Sequence, residues 1–456
     1  MRKECLSYIF SMLLMLFFQS CGKSWLEAKP DKSLVVPKSI GDYQALLDNT
    51  SQIFNVNQAC GLGEIGAGDF YITSSSWQNL FTIQEKSAYI WAPTKEFYNG
   101  EQSLDWTYAY QRILNANVIL EGIEKITPIT NDQQDWNSVK GSALFFRAFD
   151  FFNLIQEYCV PYNSRSASGD LGLPLRLEYD VNIKVKRSNL QQTYERIIID
   201  LKEAINLLGA KSGYKTRPSK EAAYALLAKT YLAMENYDQA GVYADLALKI
   251  QPDLMDYTKL NSSISFPIAK FNSEVIFHST FSYGIFNASR LIVVPELYND
   301  YTIEDCRKSI FFTASANGMT FKGSYNGDKT FFGGLATDEM YLIRSECNAR
   351  NGNLTLALED LNRLRRTRWK GLYLDLISTN PNTVLDYILK ERRKELIFRG
   401  IRWSDLRRLN GDTRLAVTLT RVLNGNSYTL QPNDKRYVFP IDEEEIRLSE
   451  IQQNER

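Results

Sequence analysis

The sequence predicts a mainly α-helical protein: a tetratricopeptide-like helical-repeat scaffold with long irregular loops and a few short strands. Three observations predict it. Within residues 190–252, Tyr224, Leu227, Ala228 and Tyr231 are followed by Ala240, Ala244, Ala247 and Pro252, the tetratricopeptide spacing. The small residues stand where two antiparallel helices must approach closely, and Asn236-Tyr237 makes the turn between them. From Ala336 a second helix–turn–helix follows, with Leu354, Ala357, Leu361 and Leu364 on one face and Gly352 at the left-handed stop of its first helix. Finally, residues 51–105 and 253–335 lose helical period, which makes them the loops. The two repeat units lie too far apart for a simple tandem array. About three units are needed to bury a core, so helices at 106–157 and 190–208 are expected to supply the rest.

The chain opens on a targeting segment at residues 1–20, with Arg2 and Lys3 ahead of an apolar run from Tyr8 to Phe18 that is too short to span a bilayer. Gln19-Ser20-Cys21-Gly22 then resembles a bacterial lipoprotein signal, with Phe18 where leucine is preferred. That resemblance makes Cys21 the lipid-attachment residue, each buried CH₂ of an acyl chain contributing about 0.8 kcal/mol. Ser39 can cap a helix that buries Tyr43, Leu46 and Leu47. Gly61 to Gly66 formally matches GxGxxG, but no apolar strand precedes it and no helix is expected to open after it. A dinucleotide site is therefore rejected in favour of a flexible loop.

The loop at 51–105 holds Trp77, Phe81, Tyr89, Trp91, Phe97 and Tyr98 among polar residues. Such rings either fill the core beneath the loops or form an exposed platform, stacking on the C–H face of a sugar while polar neighbours bond its hydroxyls. Tyr110, Ile113, Leu114, Asn117 and Val118 then mark one amphipathic helix. Ala143, Phe146, Ala148 and Phe149 to Leu154 mark another, ending near Pro161. Residues 162–189 are a Gly/Pro/Ser-rich excursion. Phe271 to Ser279 alternates in part and reads as a strand, and Phe281, Tyr283, Phe286 and Tyr325 follow among Gly, Asn and Ser. Leu385, Ile388, Leu389, Leu396 and Ile397 form the buried stripe of a last charged helix.

Composition excludes several functions. Lys+Arg and Asp+Glu both number 53, so no net field draws the 456-residue chain to nucleic acid. The Arg363–Arg368 cluster reads as a solvated helix face rather than a phosphate site. Cys60, Cys159, Cys306 and Cys347 show no CxxC pair and no histidine at metal spacing, so one disulfide or buried free thiols are both open. The single histidine, His278, lies in an apolar stretch and reads as packed. HExxH, GxSxG and a Walker A loop are all lacking. Glu391, Glu395 and Asp405 stand among Arg392, Arg402 and Arg407 and read as an ion-pair network, not as a hydrolytic pair.

The charged helix carries a resemblance. Glu391-Arg392-Arg393-Lys394-Glu395-Leu396-Ile397-Phe398-Arg399-Gly400-Ile401-Arg402, then Asp405-Leu406-Arg407-Arg408, is similar to the closing motif of SusD/RagB-type proteins, nutrient-binding surface lipoproteins of certain gut and oral bacteria. Arg399 departs from that pattern, which usually has an acid there. The tail resembles the family's too, through Pro440, Ile441, Glu445, Ile446, Gln453 and Asn454, with Asp442 in place of a proline. Family-like elements recur at Trp25 to Pro30, at Tyr110, Ile113, Ala116 and Asn117, at Gly141 to Ala148, and at Gly172-Leu173-Pro174-Leu175.

The resemblance implies one SusD-like domain over 21–456, with an N-terminal region of about 21–210 and a C-terminal region of about 211–456. It implies a lipid-anchored protein on the extracellular face of the outer membrane that captures oligosaccharide or polysaccharide. A SusC-like TonB-dependent transporter would be its partner in uptake. No catalysis, cofactor, metal or nucleic acid is expected. Ligand loops would come from the two irregular regions, which makes Asp69, Trp77, Trp91, Tyr98, Tyr283, Phe286 and Tyr325 the candidate contacts. The alternatives are a peptide-binding or scaffold lipoprotein of the same family and a surface glycoside hydrolase.

Overall fold

In the computed structural model, which describes residues 37–93 and 97–456, the scaffold grows by stacking each helix on the one before. The targeting segment, Cys21 and Trp25 to Pro30 lie outside the described residues. The chain begins with α1 (Ile40–Leu47), α2 (Gly61–Gly66), β1 (Phe70–Tyr71), α3 (Ser74–Gln78) and α4 (Ile83–Tyr89). The long helices α5 (Leu104–Glu124), α6 (Gln133–Tyr158), α7 (Leu190–Leu207), α8 (Lys220–Ala233) and α9 (Tyr237–Ile250) follow, with β2 (Leu171–Pro174) and β3 (Arg187–Asn189) ahead of α7.

An insertion then carries β4 (Val275–Phe277), β5 (Thr280–Phe281), β6 (Ile292–Val293), α10 (Pro295–Asn299), α11 (Arg307–Phe311), β7 (Phe312–Ser315), β8 (Gly318–Phe321), β9 (Phe331–Phe332) and β10 (Leu335–Ala336). Helices resume as α12 (Thr337–Arg350), α13 (Leu354–Arg366), α14 (Pro381–Glu395) and α15 (Arg402–Leu409). β11 (Leu419–Leu423), β12 (Asn426–Leu430) and α16 (Glu443–Ser449) close the fold.

Local chemistry starts many of these helices. Ser39 with Asp42, Thr82 with Glu85, and Asn189 with Gln192 form capping boxes on α1, α4 and α7. Ser219, Asn236 and Asn380 cap α8, α9 and α14. Ala228, Ala240, Ala244 and Ala247 are fully buried between α8 and α9, as the repeat spacing predicts. Gly352 takes φ +80° at the end of α12. The two repeat hairpins are neighbours in space, because α9 packs directly on α12. The insertion leaves the stack after one hairpin and returns at the start of the next.

The strands pair as two-stranded antiparallel ribbons: β1 with β6, β2 with β3, β4 with β10, β5 with β9, β7 with β8, and β11 with β12. Phe70 opposes Val293, which ties an early loop to the insertion, and Phe281 opposes Phe331 within the insertion itself. Ser39 to Arg456 pack as one compact unit.

Two expectations are corrected by burial. The glycine-rich stretch is a buried helix, not a loop: a Cβ on Gly61 would stand 2.3 Å from the Tyr283 ring, and one on Gly66 2.7 Å from Trp403. Asp105 and Glu157 take its first N–H groups, Leu62 N donating to Asp105 Oδ2 at 2.8 Å and Gly63 N to Glu157 Oε1 at 2.7 Å. Arg368 is not solvated but wholly buried, donating to Glu274 at 2.8 Å and to Glu395 at 2.8 Å.

The ion-pair network around α14 exists with different partners. Arg307 joins Glu391, Glu395 and Asp305, and Lys394 also reaches Asp305, at 2.7 Å. Arg392 and Arg408 hold Asp405, at 2.8 and 2.9 Å. Arg407 meets no acid; it donates to the carbonyls of Ile155, Gln156 and Cys159, where α6 ends and leaves backbone acceptors free. The cysteines left open by the sequence are free thiols, and burial raises the pKa of Cys60, Cys159, Cys306 and Cys347.

Candidate ligand-binding cleft

The insertion builds a cleft of about 270 Å³ from segments that touch only in the folded chain. Its lining comes from residues 263–266, 286–288, the β7–β8 hairpin and 322–331. Ala316-Asn317 turns the hairpin, with Ser315 opposite Gly318 and Phe312 opposite Phe321. Alternation along β8 then sets Thr320 and Phe321 on opposite sides of the ribbon.

Four phenylalanines, Phe266, Phe286, Phe321 and Phe331, line the cleft. The Phe286 and Phe331 rings lie 4.9 Å apart, and Phe321 meets Phe331 edge-on at 5.7 Å. Phe398 lies against both Phe321 and Phe331, at 4.9 and 5.2 Å, from a left-handed backbone at φ +55°. A bulky residue rarely takes that conformation; Gly400 beside it and the ring contacts hold it there.

Polar groups fill the remainder. Thr320 is 4% exposed, and its Oγ1 has no hydrogen-bond partner among the described residues. Ser263, Ser265, Thr313 and Ser324 add hydroxyls. Asp328 Oδ1 accepts from Asn326 Nδ2 at 2.6 Å and from Thr330 N at 2.7 Å. Lys322 Nζ donates to the Ser262 carbonyl at 2.6 Å, and partial burial lowers its pKa. Beneath Asn326 sits His278, whose Nε2 is 2.8 Å from Asn326 Oδ1. Burial lowers its pKa to about 4, so it is the neutral, packed histidine the sequence predicts.

The floor is a buried charged layer. Tyr325 Oη donates to Glu274 Oε2 at 2.6 Å and lies 2.7 Å from Tyr257 Oη. Burial, followed by Asp338 and Glu274, raises its pKa well above the ordinary tyrosine value. Arg399 pairs with Asp338 and spreads its guanidinium over the Tyr325 ring at 4.0 Å. The residue that departs from the family motif is thus a working part of this layer. Glu274, Asp338 and Glu395 are close enough to share a cation. Arg368 and Arg399 already neutralise them, which accounts for the cluster without a metal.

Of the candidate contacts read from sequence, Phe286 lines the cleft and Tyr325 lies under it. The others serve the core. Trp91 Nε1 donates to the Gly66 carbonyl at 3.0 Å, and Tyr98 Oη to Pro440 O at 2.9 Å. Tyr283 Oη turns inward to Asp105 Oδ1 at 3.0 Å, and Asp69 is held by Arg393 at 2.7 Å. Trp77 is half-buried on α3, its Nε1 donating to the Lys86 carbonyl at 3.2 Å. An exposed platform of Trp91, Tyr98, Tyr283 and Tyr325 is therefore corrected: rings enclosed on both faces leave none for a sugar. Phe321, Phe331, Thr320, Lys322 and Lys329 were not singled out from the sequence. The Asn317-Gly318 hairpin signal between Phe312 and Phe321 could have located them.

Two family models match the chain in the halves that build this fold. One, described as starch-binding and associating with the outer membrane, matches residues 24–232; the other, the SusD family, matches residues 335–455. The chain belongs to the SusD/RagB family. SusD-like protein P2 of Formosa agariphila is 23% identical over 425 residues, covering 78% of this chain and 80% of that protein.

SusD folds in solved structures superpose throughout. A SusD superfamily protein from Bacteroides thetaiotaomicron has a TM-score of 0.74 at 23% identity, covering 92% of this chain and 100% of that one. A SusD-like carbohydrate binding protein from Bacteroides vulgatus scores 0.69 at 20% identity, covering 91% and 97%. A laminarin binding SusD-like protein scores 0.65 at 18% identity, covering 91% and 98%. At these identities the likeness establishes the mainly α, tetratricopeptide-like fold.

Proposed function

We propose that this protein binds a glycan at the cell surface and passes it on without breaking a bond. The observation that carries the reading is the cleft itself, where the half-buried Phe321 ring, backed by the packed rings of Phe286 and Phe331, stands beside a buried threonine hydroxyl that has no partner among the described residues. Aromatic faces suit the C–H side of a sugar ring, and an unpaired buried hydroxyl suits a sugar hydroxyl. The carbohydrate-binding and laminarin-binding relatives support the same class of ligand. Catalysis is disfavoured because glycoside hydrolysis uses two carboxyls across the scissile bond. Among the described residues lining the cleft, Asp328 is the one carboxyl.

The capture reading extends to the anchor and the partner. Cys21 would carry the lipid, the outer membrane's external face would be the location, and a SusC-like TonB-dependent transporter would receive the ligand. A helical-repeat scaffold suits that protein contact. The test is a glycan array followed by calorimetry, with Phe321→Ala and Thr320→Val alongside. Saturable binding that weakens about tenfold in either folded variant, with no released reducing sugar, supports the reading. Binding that neither variant alters places the ligand elsewhere, and released sugar makes the protein a hydrolase.

A further inference from the structure

The charges in the cleft narrow the ligand class, on the proposed reading that the cleft takes a glycan. Its lining holds Lys322, Lys329 and Asp328 as the ionisable residues, two cations against one anion. The anion is already engaged, since one oxygen of Asp328 accepts from both Asn326 Nδ2 and Thr330 N. Among the described residues, neither Lys322 nor Lys329 has a carboxylate within ion-pair distance.

Lys322 is also positioned. Its ammonium donates to the Ser262 carbonyl at 2.6 Å and lies 3.5 Å from that of Ile264. These two contacts pin a flexible side chain and leave one of its three N–H donors for a ligand. Deeper in the fold, the buried Arg307 and Arg368 meet carboxylates within ion-pair distance. Lys322 is held at a cavity by backbone carbonyls instead, with no carboxylate in ion-pair distance among the described residues.

We infer that the cleft selects a glycan carrying an anionic substituent, a uronate carboxylate or a sulfate ester, with Lys322 and Lys329 facing the charge, Thr320 taking a ring hydroxyl, and Phe321 the apolar face. The chain as a whole carries equal numbers of acidic and basic groups. A preference for anions must therefore come from these local lysines and not from the general field.

The test is calorimetry on the full chain in detergent with three oligosaccharides of matched length. They are an unsubstituted laminari-oligosaccharide, its sulfated derivative and an oligogalacturonate. The expected result is that at least one anionic ligand binds about tenfold or more tighter than the neutral one, and that the gap closes between about 0.05 and 0.5 M salt. Which anionic arm binds identifies the substituent. In Lys322→Met and in Lys329→Met the ratio of anionic to neutral affinity should fall toward one. Lys329 is exposed, so its variant keeps the test available if loss of the Lys322 tether unfolds the loop. Neutral binding as tight as anionic, and sensitive to Phe321→Ala, overturns this inference and leaves the glycan cleft standing. Binding of all three that is indifferent to Phe321→Ala, or no binding at all, overturns the cleft and the inference together.

Discussion

Glu64 offers the sharpest test of how this fold is held. It lies on α2, 1% exposed, with Gly400 N donating to its Oε2 at 2.9 Å. Its nearest charges are Asp69, which repels, and Arg402, which attracts. Burial, then Asp69, raises its pKa from 4.5 to about 8. In the unfolded chain the carboxyl ionises near 4.5, while in the folded protein it stays protonated until about pH 8. The unfolded state therefore holds fewer protons across that window, and stability falls as pH rises through it. At 1.36 kcal/mol per pH unit, the full loss is about 5 kcal/mol.

Glu64→Gln removes this proton linkage. Gln keeps the acceptor for Gly400 but sets an N–H where Glu64 Oε1 has no partner, a cost of about 1–3 kcal/mol that does not depend on pH. The expected outcome is a variant that is slightly less stable than the parent at pH 4.5 and more stable at pH 8. The two curves should cross, and the difference between them should change by several kcal/mol. Urea denaturation of both proteins at half-unit steps between those values measures it, with the slope m held constant as the check on two-state behaviour. A stability difference flat across the window would falsify the buried, protonated Glu64.

Other outcomes follow from the same contacts. Arg399→Ala should cost about 3–5 kcal/mol by leaving Asp338 buried and unpaired, and Arg399→Glu, which restores the family's usual acid, should cost more; thermal melts measure both. Gly66→Ala should destabilise by about 1–3 kcal/mol, because its methyl would stand 2.7 Å from the enclosed Trp403 ring, and urea titration checks this. With Cys5 and Cys21 replaced by Ser, one thiol should react with a disulfide reagent in the native protein at pH 8. That thiol is Cys306, since Cys60, Cys159 and Cys347 are buried, with pKa values raised by burial; several fast-reacting thiols would contradict the packing.

Much of the scaffold was legible because its causes are local. Helix caps lie within three residues of the groups they satisfy, and the alanines of the repeat hairpin recur at helical spacing. The closing motif is contiguous, so the family could be read from it. The cleft was legible only as a region, with Phe286 named and its neighbours missed. Its lining comes from several segments, and nothing in residues 263–266 signals that Phe331 will stand beside them.

The sequence alone determined the helices, the turn at Gly352 and the charged character of α14, since each depends on neighbours a few residues away. Tertiary structure decided which charges and rings are available. Arg368 is buried because Glu274 and Glu395 arrive from distant segments to neutralise it, and Trp91 is enclosed because α2 passes close enough for Gly66 to accept its N–H. A two-residue strand has no period to read. β1 meets β6 only after the long helices have brought the insertion back to the early loops, β5 meets β9 within the insertion, and these meetings settle which aromatic faces are left open to a ligand.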